Sequence, residues 1–470
     1  MDNKDKQAVL LIHGVGEQRP METLRGFVKT VWSDDESVHH PYGVDTVWSK
    51  PDTISDSFEL RRLTTGQNAD GVRTDFFEFY WAHMMEGTSA AHVIAWARII
   101  LLRWPWKLPG HLVLTWTLIV GLILVFAYLV FMRSLPEHLQ FEILRESSAR
   151  VVSALVALVV VPVIKKVVGD AARYLNATPG NIKRRQEIRT KGVDLLQKLH
   201  EAGYKRVIVV GHSLGSVIGY DILTYAWALH NRTADKDKDH PKLGALESDL
   251  AARKFRSDAY EDRRSKALDQ LKLDQDAGKF KPGDYKARER VVLDKLEQDP
   301  VAGEFNAVKY QIRQREVLRE LTENGLTWRV TDFVTLGSPL AHAEILMAKH
   351  GEDLDRKQND REFPICPPVL EDGRFSYKPP GQAHRAPHHA AVFGLTRWTN
   401  LYFPTHFVIH GDQIGGPVSR IFGRGVRDVP VSTHKRLGFF SHTLYWNPGS
   451  STHTASHIDE LRNALNLLDT

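Results

Sequence analysis

The feature that most constrains this chain is the stretch Arg206-Val-Ile-Val-Val-Gly-His-Ser-Leu-Gly-Ser216. Val207 to Val210 are consecutive apolar β-formers and predict a buried strand. They run into Gly211-His212-Ser213-Leu214-Gly215, which fits G-x-S-x-G, and helix-forming sequence follows from Val217 to Leu229. Strand, glycine-flanked serine and helix predict a sharp turn that lifts the serine hydroxyl above a sheet. The reason is steric: Ser213 is expected in a strained backbone conformation, and Gly211 and Gly215 lack the Cβ atoms that collide in so tight a turn. Ser213 is thereby the candidate nucleophile. The N–H of Leu214, at the helix start, is the candidate donor to an oxyanion.

A second glycine-bearing strand end lies near the N-terminus. Ala8-Val-Leu-Leu-Ile12 predicts a five-residue buried strand that ends in His13-Gly14-Val15-Gly16. Glycine there lets the backbone approach a ligand, and the N–H of Val15, or of Gly16, is the candidate second oxyanion donor. Met21 to Trp32 reads as a helix. Asp75 to Trp81 reads as an aromatic strand, with weaker strand signals at Val44 to Trp48 and Phe58 to Leu63. Further on, Asn181 to Glu201 has an amphipathic helical pattern that feeds the serine-bearing strand. Val330 to Leu336, Trp398 to Phe403 and Phe407 to His410 read as strands, and Ser456 to Leu468 as a final helix.

With 470 residues, the chain has room for two or three domains or for one domain with large insertions. A net charge of +5 is mild for this length and does not point to nucleic acid. The one cysteine, Cys366, excludes an internal disulfide and points to a reducing compartment. Ala8 to Ile12 is too short for the apolar part of a secretory leader. His384, His388 and His389 cluster in a Pro- and His-rich stretch, but no nearby cysteine or carboxylate pattern completes a metal site, so neither metal nor cofactor is expected.

Two segments stand apart in composition. Leu112 to Met132 carries no charged residue, long enough to cross a hydrocarbon layer of roughly 30 Å. Trp96, Trp104, Trp106 and Trp116 cluster at its leading end, as interfacial aromatics do. A shorter apolar run, Val151 to Ile164, ends at Lys165-Lys166. The flanking strands are expected in one sheet, so the chain must return to the side it left. Residues 91–172 are therefore expected to form a membrane hairpin, multi-pass or re-entrant, and the flanking lysines and arginines put the remainder on the cytoplasmic face. The second segment, 232–324, is dominated by charge and reads as helical. It is expected as a solvated insertion, with docking of a protein partner as the alternative.

Taken together, His13-Gly14, the turn around Ser213, Thr335-Leu-Gly-Ser-Pro339, Trp398-x-Asn400 with the Asp412-x-Ile-Gly-Gly-Pro loop, and His442-x-x-Tyr-Trp446 resemble the pieces of a lipase-like serine hydrolase of the α/β-hydrolase superfamily, in that family's order. The resemblance implies an α/β-hydrolase fold: a mainly parallel sheet flanked by helices, here with a membrane-helix insertion and a charged helical insertion. Its core would comprise 1–90, 173–231 and 325–470. It also implies hydrolysis of carboxylic esters, and the expected membrane placement favours acyl lipids. Thioesterase or amidase chemistry uses the same groups. A catalytically silent membrane-anchored interaction protein is the alternative from another class.

Within that order the base follows the acid and lies on a loop at the carboxyl edge of the sheet. His406 and His410 precede the candidate acid, His457 lies in the final helix, and His434 precedes the last apolar stretch. His442 follows Gly438-Phe-Phe at a short strand end and is the expected base, with His434 and His453 as alternatives. Tyr445 and Trp446 are expected to wall an apolar acyl site. Asp412, between a strand and a Gly-rich loop, is the expected acid. Asp428 is the runner-up, and Asp332 lies inside a strand.

Overall fold

A computed structural model describes residues 6–15, 19–40, 46–85, 117, 121, 174, 179–234, 238–298, 305–405, 411–412, 414–432, 441–447 and 456–469. Its strands are β1 (Lys6–Ile12), β2 (Trp48–Pro51), β3 (Arg61–Gln67), β4 (Arg73–Phe79), β5 (Arg206–His212), β6 (Val330–Leu336), β7 (Ser376–Tyr377), β8 (Ala386–Pro387), β9 (Arg397–Tyr402) and β10 (Arg427–Pro430). Eight of them form one sheet in the order β10-β9-β6-β5-β1-β4-β3-β2. Neighbours from β10 to β4 are parallel, and β3 and β2 add an antiparallel edge. Strands β7 and β8 pair separately.

The strand pattern follows from two-sided burial. Along β1, Ala8, Leu10 and Ile12 point into one core and Val9 and Leu11 into the other. In β5, Val207 and Val209 join the first core, and Ile208 and Val210 the second. Helices Pro179–Glu201, Leu214–His230 and Ala307–Glu323 cover the first face, and Glu22–Val28 and Ser456–Leu465 the second. The helix expected over Met21 to Trp32 is α-helical only to Val28 and continues as a π turn, Lys29–Ser33. The weaker strand signals shift toward the C-terminus, to β2 and β3, because Phe58 lies fully exposed rather than in a ladder. The strand expected at 407–410 lies outside the described residues.

The charged segment does not behave as one solvated body. Its first and last helices, Pro241–Ala251 and Ala307–Glu323, bury Leu243, Leu246, Tyr310, Val317 and Leu321 in the main core. The Glu320 carboxylate accepts the N–H groups of Lys242 and Leu243, capping the first helix, and Gln311 donates to the Trp398 carbonyl of β9. Between them, Asp258–Asp276 and Tyr285–Gln298 leave Leu273 and Val291 exposed.

One expectation is overturned. Among the described residues no helix is long and apolar enough to cross a membrane. The placement as a multi-pass or re-entrant membrane protein with its catalytic part facing the cytoplasm is therefore corrected, and the membrane-helix insertion goes with it. An uncharged run meets the length condition for crossing, but length in sequence does not by itself place a segment in a membrane. The runs at 112–132 and 151–164 lie outside the described residues, apart from Thr117 and Gly121.

At the amino edge of the sheet a buried ionic lattice ties the strands to the C-terminal segment. Arg206 of β5 meets Asp332 of β6 at 2.7 Å, and Arg397 of β9 meets the same carboxylate at 2.8 Å. Arg206 also donates to the carbonyls of Leu465, the last residue of the final helix, and of Asn466 and Asp469, which follow it. Burial pushes the Asp332 carboxyl up, but the charges of Arg206 and Arg397 outweigh it and hold it at about 2. An unfolded aspartate titrates near 3.9. The contribution of this group is thus complete above about pH 4 and is lost as pH falls toward 2. We expect it to supply about 2 kcal/mol of the acid sensitivity in urea unfolding between pH 5 and 2. Asp332→Asn should start about 3–5 kcal/mol less stable, because the buried Arg206 guanidinium loses its counter-charge while Arg397 keeps only Asp469, and should show a flatter acid limb. An unchanged urea midpoint in that variant would contradict this role.

Candidate active site

The turn after β5 has the geometry its sequence requires. Ser213 sits at φ 52°, ψ −128°, a region that non-glycine residues rarely enter, and the helix Leu214–His230 starts at the next residue. Several contacts hold the strain in place. The Ser213 N–H donates to the Leu336 carbonyl at the end of β6, and its own carbonyl accepts the Ser216 N–H and hydroxyl. Ser216 is braced in turn by the Ser338 hydroxyl at 2.6 Å. A Cβ on Gly215 would lie 2.1 Å from the Ile12 carbonyl, so only glycine lets the helix start pack on the end of β1.

Ser213, Asp412 and His442 converge. The Ser213 hydroxyl lies 2.8 Å from His442 Nε2, and His442 Nδ1 lies 2.9 Å from Asp412 Oδ2. With the proton on Nδ1, the imidazole donates to the carboxylate and accepts the serine proton at Nε2. Each residue follows the carboxyl end of a parallel strand: Ser213 after β5, Asp412 after β9 and His442 after β10. The three loops therefore open on one edge of the sheet.

The acid is fully enclosed. Asp412 Oδ1 accepts the N–H groups of Ile414 and Gly415, and Oδ2 accepts the Tyr445 hydroxyl at 2.8 Å besides the imidazole. Burial alone pushes this carboxyl up, but the hydrogen bond and charge of His442 and the Gly415 and Tyr445 donors outweigh it, holding it at about 2. It is a fixed anion next to the imidazole.

The histidine before the serine holds the base. His212 Nε2 donates to the His442 carbonyl at 2.8 Å, and its ring packs edge-on against Trp446. Burial first, then the neighbouring His442, pulls His212 down to about 3, so it remains a neutral donor.

The first strand end lies against the serine. A Cβ on Gly14 would sit 2.8 Å from the Ser213 Cβ. His13 anchors this segment: its carbonyl accepts the Trp81 indole N–H at 2.9 Å, and its ring stacks on Trp81. Burial pulls His13 to about 4, and the neutral ring donates from Nδ1 to the Gly14 carbonyl. Gly14 thus lies on one side of Ser213 and Leu214 follows it at the helix start, where the Leu214 N–H is among the donors that have no intrahelical acceptor. Gly16 lies outside the described residues. So do His406, His410, His434 and His453 among the other histidines weighed as base.

The alternative acids have other partners. Asp428 accepts from the Asn400 amide and from the N–H groups of Val418 and Ser419. Asp332 belongs to the ionic lattice at the opposite edge. His457 donates from Nε2 to the Asn447 carbonyl. His388 accepts the Ala390 N–H at Nδ1, and among the described residues no group of three or more His, Cys, Asp or Glu is placed to hold a metal ion.

Two residues of the site escape sequence reasoning. Tyr445 does not wall an open pocket: it is fully buried, its hydroxyl engaged by Asp412 and by the Phe403 N–H. Gly337 has φ +58°, and a Cβ there would fall 2.7 Å from Asp412 Oδ2 and 3.0 Å from His442 Nδ1. The signal for it was the Gly-Ser-Pro run after β6, whose glycine marks a close backbone approach.

The fold and site define an α/β protein with a mostly parallel sheet and a hydrogen-bonded Ser-His-Asp chain at its carboxyl edge. Comparison with protein-family models, with curated proteins and with solved structures finds no match for this chain.

Proposed function

We propose that this protein is a serine hydrolase with a lipase-like α/β-hydrolase fold that cleaves carboxylic esters through an acyl-enzyme. The observation that carries the reading is the 2.8 Å and 2.9 Å hydrogen-bond chain Ser213–His442–Asp412, set on a strained turn. The Ser213 oxygen attacks the ester carbonyl carbon as His442 Nε2 takes its proton. The carbonyl oxygen becomes an oxyanion and is met by the N–H groups of Leu214 and Val15. Collapse of the tetrahedral species breaks the bond to the leaving oxygen, which receives the proton from Nε2. Water then repeats the sequence on the acyl-serine, releasing the acid and free Ser213. Asp412 stays ionised throughout, keeping the proton on Nδ1 and stabilising the imidazolium. The acyl-lipid preference rested on membrane placement and falls with it, leaving carboxylic esters as the substrate class. Covalent trapping by a fluorophosphonate, which reacts with a serine activated in this way, tests the reading. Folded protein that does not react would count against it.

A further inference from the structure

On the edge of the sheet opposite Ser213 lies a cleft of about 760 Å³, within the roughly 300–1,000 Å³ typical of small-molecule sites. Its lining is strongly cationic. Lys6, Lys205 and Arg329 stand at the starts of β1, β5 and β6, and Arg315 and Arg319 face them from the helix Ala307–Glu323. Arg206 and Arg397 lie deeper and are engaged by Asp332, with Arg397 also on Asp469. Among the described residues of the lining the carboxylates are Glu323 and Asp469, and Asp469 meets both Arg397 and Arg315. Burial, then repulsion from Arg397, Arg206 and Arg319, pulls Arg315 down to about 10. Arg319 is exposed at the rim and pairs with no carboxylate among the described residues.

We propose that this cleft binds a small polyanion carrying two phosphate groups. The cations come from two elements, the strand starts and the helix, and a ligand with two phosphate groups engages both. Arginine supplies the planar fork that matches phosphate oxygens. The site uses none of the residues around Ser213, so its occupancy is independent of the proposed hydrolase reading. The diphosphate is either free in solution or part of a lipid headgroup.

Isothermal titration of the full chain with inorganic pyrophosphate in 0.15 M salt tests the site, with monophosphate as comparison. Saturable 1:1 binding of pyrophosphate, at least tenfold tighter than monophosphate, is expected. Arg319→Gln and Arg329→Gln should each weaken it at least fivefold, whereas Lys272→Gln, on an exposed helix elsewhere, should not. Circular dichroism and melting midpoints of the variants separate lost binding from lost folding. Cosedimentation with phosphatidylcholine vesicles containing phosphatidylinositol bisphosphate, if it depends on the same arginines, assigns the diphosphate to a headgroup. Pyrophosphate binding without cosedimentation assigns it to a soluble ligand. Heats no larger than those of sodium sulfate at matched ionic strength, or binding unaffected by both arginine variants, would overturn the proposal.

Discussion

Ser213→Ala is expected to fold as the wild type does and to lose ester hydrolysis by about 10⁶ in kcat, the scale seen when the nucleophile of a triad is deleted. The loss follows from geometry: alanine leaves His442 Nε2 with nothing to deprotonate 2.8 Å away, while the N–H groups proposed to meet the oxyanion are unchanged. Residual hydrolysis of about 10³–10⁴ over water would come from those donors and from binding. The structural cost is small. Alanine keeps the Cβ already accommodated at φ 52°, and a single hydroxyl hydrogen bond contributes about 1 kcal/mol. The assay is turnover of p-nitrophenyl esters by purified protein, alongside a melting curve. Activity within about tenfold of wild type would remove Ser213 from the chemistry.

The second large effect concerns the acid and base. His442→Ala should be nearly as damaging as Ser213→Ala, and combining the two should add almost nothing, because the groups act as a unit. Asp412→Asn should cost up to about 10⁴ in kcat. The Asn amide donates toward Nδ1, favouring the tautomer that places the proton on Nε2, where the serine proton must go. Two backbone N–H groups and the Tyr445 hydroxyl are built around a carboxylate, so the amide also strands donors in a closed site. Additive losses in the Ser213/His442 double variant, or full activity in Asp412→Asn, would separate these residues from one mechanism.

The legible parts of the structure were those governed by local physics. Val207 to Val210 is a continuous apolar run and Val330 to Leu336 is rich in β-branched and aromatic residues, and the two become adjacent parallel strands buried on both faces. The turn at Ser213 was legible because its two glycines have one steric purpose. The meeting of Ser213, Asp412 and His442 was expected from the chain order that the resemblance implies and from loop position, and the structure brings the three together.

What stayed hidden depends on contacts between distant segments. The hydroxyl of Tyr445 is committed to Asp412, whereas the sequence offers only an aromatic residue near a candidate base. Gly337 has to be glycine because two other loops close on it, and a single chain does not display that approach. Ala307–Glu323 reads as charged, yet Tyr310, Gln314, Val317 and Leu321 form a buried stripe that only a neighbouring sheet explains. The membrane expectation failed for the opposite reason: it converted a local apolar run into a placement in space.

The most direct test is the site of covalent reaction with a fluorophosphonate, mapped by peptide mass spectrometry on folded protein. A single phosphonyl adduct on Ser213 is expected, absent from Ser213→Ala and formed far more slowly in His442→Ala. No adduct on folded wild-type protein, or an adduct at another serine that persists in Ser213→Ala, would contradict the account.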